Sequence, residues 1–102
     1  MRNFKSESVD RLFHAILLLE NEEECYRFFD DLCTIKEIQD MAQRLSTAEM
    51  IDKGVSYQKI SDKTGVSTAT ISRVSRCLNY GAGGYQEMLK KLRAEQTNTN
   101  PV

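Results

Sequence analysis

Proline is almost missing: the single one, Pro101, is the penultimate residue of a 102-residue chain. With no other fixed φ or absent N–H to break it, the chain favours helix over a loop-rich sheet fold. Tryptophan is absent and aromatics make up 8% of the residues. Cysteine is scarce and odd in number, with Cys25, Cys33 and Cys77 forming no C-x-x-C pair. That argues against both a disulfide framework and a zinc site, and fits three reduced thiols in the cytoplasm. The longest strongly apolar run, Ala15 to Leu19, is too short to span a membrane. The opening MRNFKSESVD lacks the apolar stretch of a signal peptide. The cytoplasm is therefore the expected location.

Catalytic groups are equally sparse. The only histidine, His14, lies beside Phe13 on an apolar stretch, where a core or interface role outweighs catalysis. Glu22, Glu23 and Glu24 form a charge run at a helix start, which reads as solvated and facing the helix dipole rather than as a metal site. Asp30 and Asp31 are adjacent and point to different helix faces, so they form no carboxylate pair. The GAGG stretch lacks the following Lys-Ser/Thr of a phosphate loop. No enzyme, cofactor or metal is implied.

The chain does contain enough apolar residues, 40%, for one small core. Its charge is also unevenly placed. The net charge is −1, yet Glu7 to Asp52 carries twelve acidic and four basic residues. Lys53 to Tyr80 holds Lys53, Lys59, Lys63, Arg73 and Arg76 against Asp62 alone. A local basic patch is an electrostatic footprint for phosphate that the overall balance hides.

Periodicity predicts six helices. Val9, Leu12, Phe13, Ile16, Leu17 and Leu19 follow helical spacing, and Leu18 widens the stripe until it needs burial on more than one side. Asn21 with Glu24, and Thr34 with Glu37, are two capping-box signatures. The helix after Thr34 runs to about Lys53, where Gly54 supplies a left-handed end. Three glycines in Tyr80–Tyr85 make a loop, and Tyr85, Met88, Leu89 and Leu92 begin a last amphipathic helix.

The stretch YQKISDKTGVSTATISR, Tyr57 to Arg73, has the form of a helix-turn-helix. Ser56 caps a short helix, Gly65 gives the positive φ of a tight turn, and Ser67 caps a second helix to about Leu78. Ile60, Val66, Ile71 and Val74 face inward, and Ser61 is small where the helices cross. The outward face carries Thr68, Ala69, Ser72, Arg73 and Arg76. Short hydroxyls let a helix sit deep in a major groove, and alanine or a threonine methyl can meet the thymine methyl. Gln58, Lys59 and Lys63, with Ser67 at the start of the second helix, are placed to hold phosphates.

At this point the run from Thr34 to Leu78 resembles the tryptophan repressor superfamily, and TGVSTATISRVSRCLNYGAGGY resembles its small YerC/YecD-type branch. The likeness spans roughly residues 32–92, and ATISR is its most specific part. It implies an all-α, intertwined homodimer whose amino-terminal helices interlock. Residues 8–53 would then dimerise, 56–78 would form the helix-turn-helix and 84–94 a C-terminal helix, all within one domain over 1–94, with 95–102 a polar tail. The resemblance also places co-repressor contacts at Thr34, Arg44, Thr70 and Arg73. Val74 and Cys77 stand where the family has a glycine and a serine, and a branched side chain should crowd out the indole. Free tryptophan is therefore not the expected ligand, which leaves a different small effector or none, with Arg73 facing either a ligand or the DNA. The expected function is a sequence-specific transcriptional regulator, a repressor, reading palindromic double-stranded DNA. The alternative is a helical protein-binding adaptor or dimerisation module without DNA specificity.

Overall fold

The computed structural model describes residues 2–99. They form six helices: α1 Glu7–Leu17, α2 Glu22–Leu32, α3 Ile35–Asp52, α4 Tyr57–Thr64, α5 Thr68–Tyr80 and α6 Gly84–Thr99. No strand occurs among the described residues, so the all-α expectation holds. The chain divides into two compact units, Met1–Gln39 and Asp40–Val102.

The first unit is defined by its helix caps. The Ser6 hydroxyl accepts from the Val9 N–H at 3.1 Å. Asn21 Oδ1 accepts from the Glu24 N–H at 2.9 Å, as its spacing required. The returning Glu24 carboxylate accepts from the Glu20 N–H at 3.0 Å, one residue before the position a regular capping box uses. At α3 the box is complete: Thr34 Oγ1 accepts from the Glu37 N–H at 3.1 Å, and Glu37 Oε1 accepts from the Thr34 N–H at 2.8 Å. The bond from the Thr34 backbone, then the one with its side chain, holds the Glu37 carboxyl below its ordinary 4.5.

α1 stops earlier than its apolar pattern suggests. The N–H groups of Leu18 and Leu19 bond to the carbonyls of Ala15 and Ile16, both at 3.1 Å. These are tight i→i−3 bonds that close the last turn, so Leu19 lies outside the helix. No residue of α1 or α2 is buried. Phe4 meets Phe13 edge to face at 6.4 Å, and Phe28 meets Phe29 likewise at 5.8 Å. Leu17 nevertheless remains 81% exposed and Tyr26 77%. His14 is exposed too, so of the core and interface roles expected for it the core role does not hold within this unit.

The second unit has a core. Ile60, Val66 and Ile71 are buried together, flanked by Met50, Ile51 and Val55. Ala48, Val74, Leu78 and Leu89 form a second cluster, flanked by Leu45, Ile51, Tyr85 and Leu92. Ile51 touches both, so one residue of α3 joins the two clusters. Thr47 is fully buried and donates its hydroxyl proton to the Gln43 carbonyl at 2.8 Å, which satisfies it locally. α3 ends in a Schellman arrangement: Val55 N–H reaches the Met50 carbonyl, Gly54 N–H reaches that of Ile51, and Gly54 has φ +84°. The Gln86 amide donates to the Leu78 carbonyl at 2.6 Å, tying α6 to the end of α5.

Two boundaries lie beyond their expected places. α5 continues past Leu78 to Tyr80, and α6 continues past residue 94 to Thr99. Residues 95–99 contain good helix formers at Glu95 and Gln96 and no proline or glycine. The rest of the expected polar tail, 100–102, lies outside the described residues.

Ile60→Ala is expected to cost about 2–5 kcal/mol, because it removes the centre of the first cluster. Urea unfolding should show a lower midpoint, and a change within about 0.5 kcal/mol would contradict this packing. Glu37 titrates lower when folded, so its contribution is complete above pH 4.5 and is lost as pH falls through the folded value. Glu37→Gln should remove that part of the acid limb in urea titrations run from about pH 6 down to 3.

Candidate nucleic-acid interface

The α4–α5 pair is built around a short, fully specified connection. Ser56 accepts from the Lys59 N–H at 3.3 Å and starts α4. Thr64 ends it with two bonds: its hydroxyl donates to the Ile60 carbonyl at 2.7 Å and accepts from the Val66 N–H at 3.1 Å. Gly65 takes the left-handed conformation, φ +74°, which a side chain would strain. Val66 then turns inward at 5% exposure. Ser67 accepts from the Thr70 N–H at 3.2 Å and donates to Thr70 Oγ1 at 3.1 Å.

α5 divides cleanly into two faces. Ile71, Val74 and Leu78 are buried. Thr68, Ala69, Ser72, Arg73 and Arg76 are exposed, as are Gln58, Lys59 and Lys63 on α4 and Ser67 between them. Among the described residues no hydrogen bond or ion pair occupies the side chains of Lys59, Lys63, Arg73 or Arg76. Four cationic groups on one helix pair therefore face solvent with their charge uncompensated by an ion pair. Such an arrangement raises the local concentration of polyanions and can bond phosphate oxygens directly.

Two side-chain bonds within this head were not anticipated from the sequence, Gln58 to Asp62 and the Ser67 hydroxyl to that of Thr70, beside the expected Ser67 cap. Gln58 donates an amide proton to Asp62 Oδ1 at 2.9 Å, one helical turn away. Ser67 spends both its donor and one acceptor position on Thr70, so it is first a capping residue. The four-residue spacing of Gln58 and Asp62 was the available signal for the first. Ser-x-x-Thr was the signal for the second.

The four effector candidates have different surroundings. Thr34 caps α3 through its hydroxyl. Arg44 and Arg73 are exposed, and Thr70 is half-buried against Ser67. Val74 belongs to the buried cluster at 3% exposure, so its branched side chain is part of the packing. Tyr85 packs on that cluster, and burial pushes its hydroxyl above its ordinary 10.0, while the nearby Arg44 charge pulls it down and Cys77 adds to the rise. A cavity of about 470 Å³ lies elsewhere in this unit, among Asp52, Asn79, Gln86, Lys90 and Arg93, of which Asp52 and Arg93 form an ion pair. None of the four effector candidates lines it.

The cysteines are free, and among the described residues no cluster of His, Cys, Asp and Glu could hold a metal. No described helix is long and apolar enough to cross a membrane.

Comparison with known proteins places this geometry. The Trp repressor protein family model matches residues 7–93. The uncharacterized protein YerC of Bacillus subtilis (strain 168) is 53% identical over 96 residues, covering 94% of this chain and 92% of that protein. A TrpR-like protein from Eubacterium eligens ATCC 27750 superposes with a TM-score of 0.83 at 49% identity, covering 86% of this chain and 91% of the other. A candidate Trp repressor from Staphylococcus aureus does so with a TM-score of 0.83 at 52% identity, covering 87% and 89%.

The raised Tyr85 pKa gives a signed expectation. Its contribution is complete below pH 10.0 and is lost as pH rises through the folded value. Tyr85→Phe should therefore lose stability less steeply than the parent above pH 10.0, read from urea midpoints. Identical slopes would show that this hydroxyl is not desolvated by the core.

Proposed function

Because the chain belongs to the Trp repressor family, in its YerC-type branch, we propose that it is a sequence-specific DNA-binding transcriptional regulator acting as a repressor. The family consists of regulatory DNA-binding proteins rather than enzymes. The observation that carries the reading is the two-faced α5. Its buried face is fixed by Ile71, Val74 and Leu78, and its exposed face presents Thr68, Ala69, Ser72, Arg73 and Arg76 beside Lys59 and Lys63. Thr68, Ala69 and Ser72 are short enough to let the helix approach base edges, and the cationic groups take phosphates.

The working form is an intertwined homodimer in the cytoplasm. Two eleven-residue helices without a single buried residue support it, since such helices are marginal in water unless a partner covers their apolar face. A two-fold pair of heads reads half-sites about 34–36 Å apart, one helical turn. Thr34, Arg44, Thr70 and Arg73 are the candidate contacts for a small-molecule effector. The buried Val74, with Tyr85 close to Arg44, supports an effector other than free tryptophan.

The exposed Leu17 and Tyr26 would also serve a protein-binding adaptor without DNA specificity. That alternative has no use for a cationic head, and the salt response separates the two. DNA affinity should fall steeply as salt is added, whereas an apolar protein interface should not weaken in this way.

Selection from random duplexes, with and without pooled amino acids and nucleotides, should yield a palindromic consensus. Arg73→Ala and Thr68→Ala should weaken binding to that consensus more than to unrelated duplexes. Lys63→Ala should weaken both and reduce the salt slope by about one. Equal affinity for all duplexes would contradict sequence-specific regulation.

A further inference from the structure

We infer that Asp62 is a specificity-determining residue of the head: it positions the Gln58 amide to read an adenine edge rather than to hold a phosphate. This rests on the DNA-binding reading and refines it. Asp62 is the only acidic residue between Lys53 and Tyr80. It is exposed on α4, on the same helix as Lys59 and Lys63. Its Oδ1 accepts from Gln58 Nε2 at 2.9 Å.

That bond has two consequences. The first is orientation. A glutamine amide has two N–H protons and one carbonyl oxygen, and it can turn either way about its last torsion. Committing one N–H to Asp62 removes that freedom and leaves one N–H and Oε1. Those are the donor and acceptor that match N7 and the N6 amino group of adenine in the major groove. Gln58 sits in the first turn of α4, whose helical frame is fixed by the Ser56 cap and by buried Ile60. The amide is thus held on a rigid element.

The second consequence is electrostatic. A carboxylate within hydrogen-bonding distance of Gln58 makes that residue a poor phosphate ligand, because the phosphate would approach a like charge. The same charge weakens every placement on DNA. A placement in which the Gln58 amide finds its base recovers the loss, and a random one does not, so discrimination rises as overall affinity falls.

Two substitutions separate orientation from charge. Asp62→Asn removes the charge and keeps a carbonyl that can accept from Gln58. Asp62→Ala removes both. Each residue is exposed, so the fold should persist, and helical circular dichroism checks it. Random-duplex selection and competition binding are then run on the parent, both variants and Gln58→Ala. The parent should require an A·T pair at one position in each half-site. Asp62→Asn should keep that requirement while binding unrelated duplexes severalfold more tightly at low salt, an advantage that fades as salt is raised. Asp62→Ala and Gln58→Ala should both lose discrimination at that one position by about 5- to 150-fold, the scale of a bidentate base contact. An Asp62→Ala consensus identical to the parent's at every position would overturn the inference and leave the DNA-binding reading intact. A parent that selects no consensus would overturn both.

Discussion

Ile60, Val66 and Ile71 leaving water together is the condition on which the head depends. Ile60 and Ile71 are completely buried and Val66 nearly so. Each contributes about 1.5–3 kcal/mol relative to exposure. The three come from α4, the turn and α5, so their contact fixes the angle between the two helices. Once α5 is pinned by one face, its other face is free to carry small hydroxyl and cationic residues that contribute nothing to the core. Thr64 and Gly65 make the connection short enough for that contact to form.

The two units obtain their order by different means. In Asp40–Val102, two apolar clusters share Ile51, and the Gln86 bond to Leu78 ties α6 to the end of α5. In Met1–Gln39, order comes from caps and short-range bonds, with no buried residue in either complete helix. Caps contribute about 1 kcal/mol each, which fixes where a helix starts but does not bury its apolar side. The proposed dimer gives the exposed apolar residues of α1 and α2 a physical role.

Much of this was legible in the sequence. Residues that act through their immediate neighbours declared themselves: Asn21, Thr34, Ser56 and Ser67 as caps, and Gly54 and Gly65 as left-handed ends. The inward set Ile60, Val66, Ile71 and Val74 followed from helical spacing. Less was legible where several local solutions compete. Leu18 and Leu19 continue the apolar pattern of α1, yet tight i→i−3 bonds close the helix before them. Glu24 has the capping-box spacing and still bonds Glu20 instead of Asn21. The polar character of 95–99 suggested a tail, yet Glu95 and Gln96 are good helix formers and the helix continues to Thr99. His14 is exposed together with Leu17 and Leu18 one turn on, because no residue of α1 is buried within this unit. The Gln58–Asp62 bond had the four-residue spacing as its signal, and the two rotamers decide that it forms.

The central claim is that the exposed side of α4 and α5 is the surface that meets duplex DNA. Amide and side-chain NMR shifts, followed while a short duplex carrying the selected site is titrated into the intact protein, test it most directly. The account places the largest changes at Gln58, Lys63, Thr68, Ala69, Ser72, Arg73 and Arg76, with buried Ile60 and Ile71 shifting far less. Changes confined to α1 and α2, or none at saturating duplex, would contradict it.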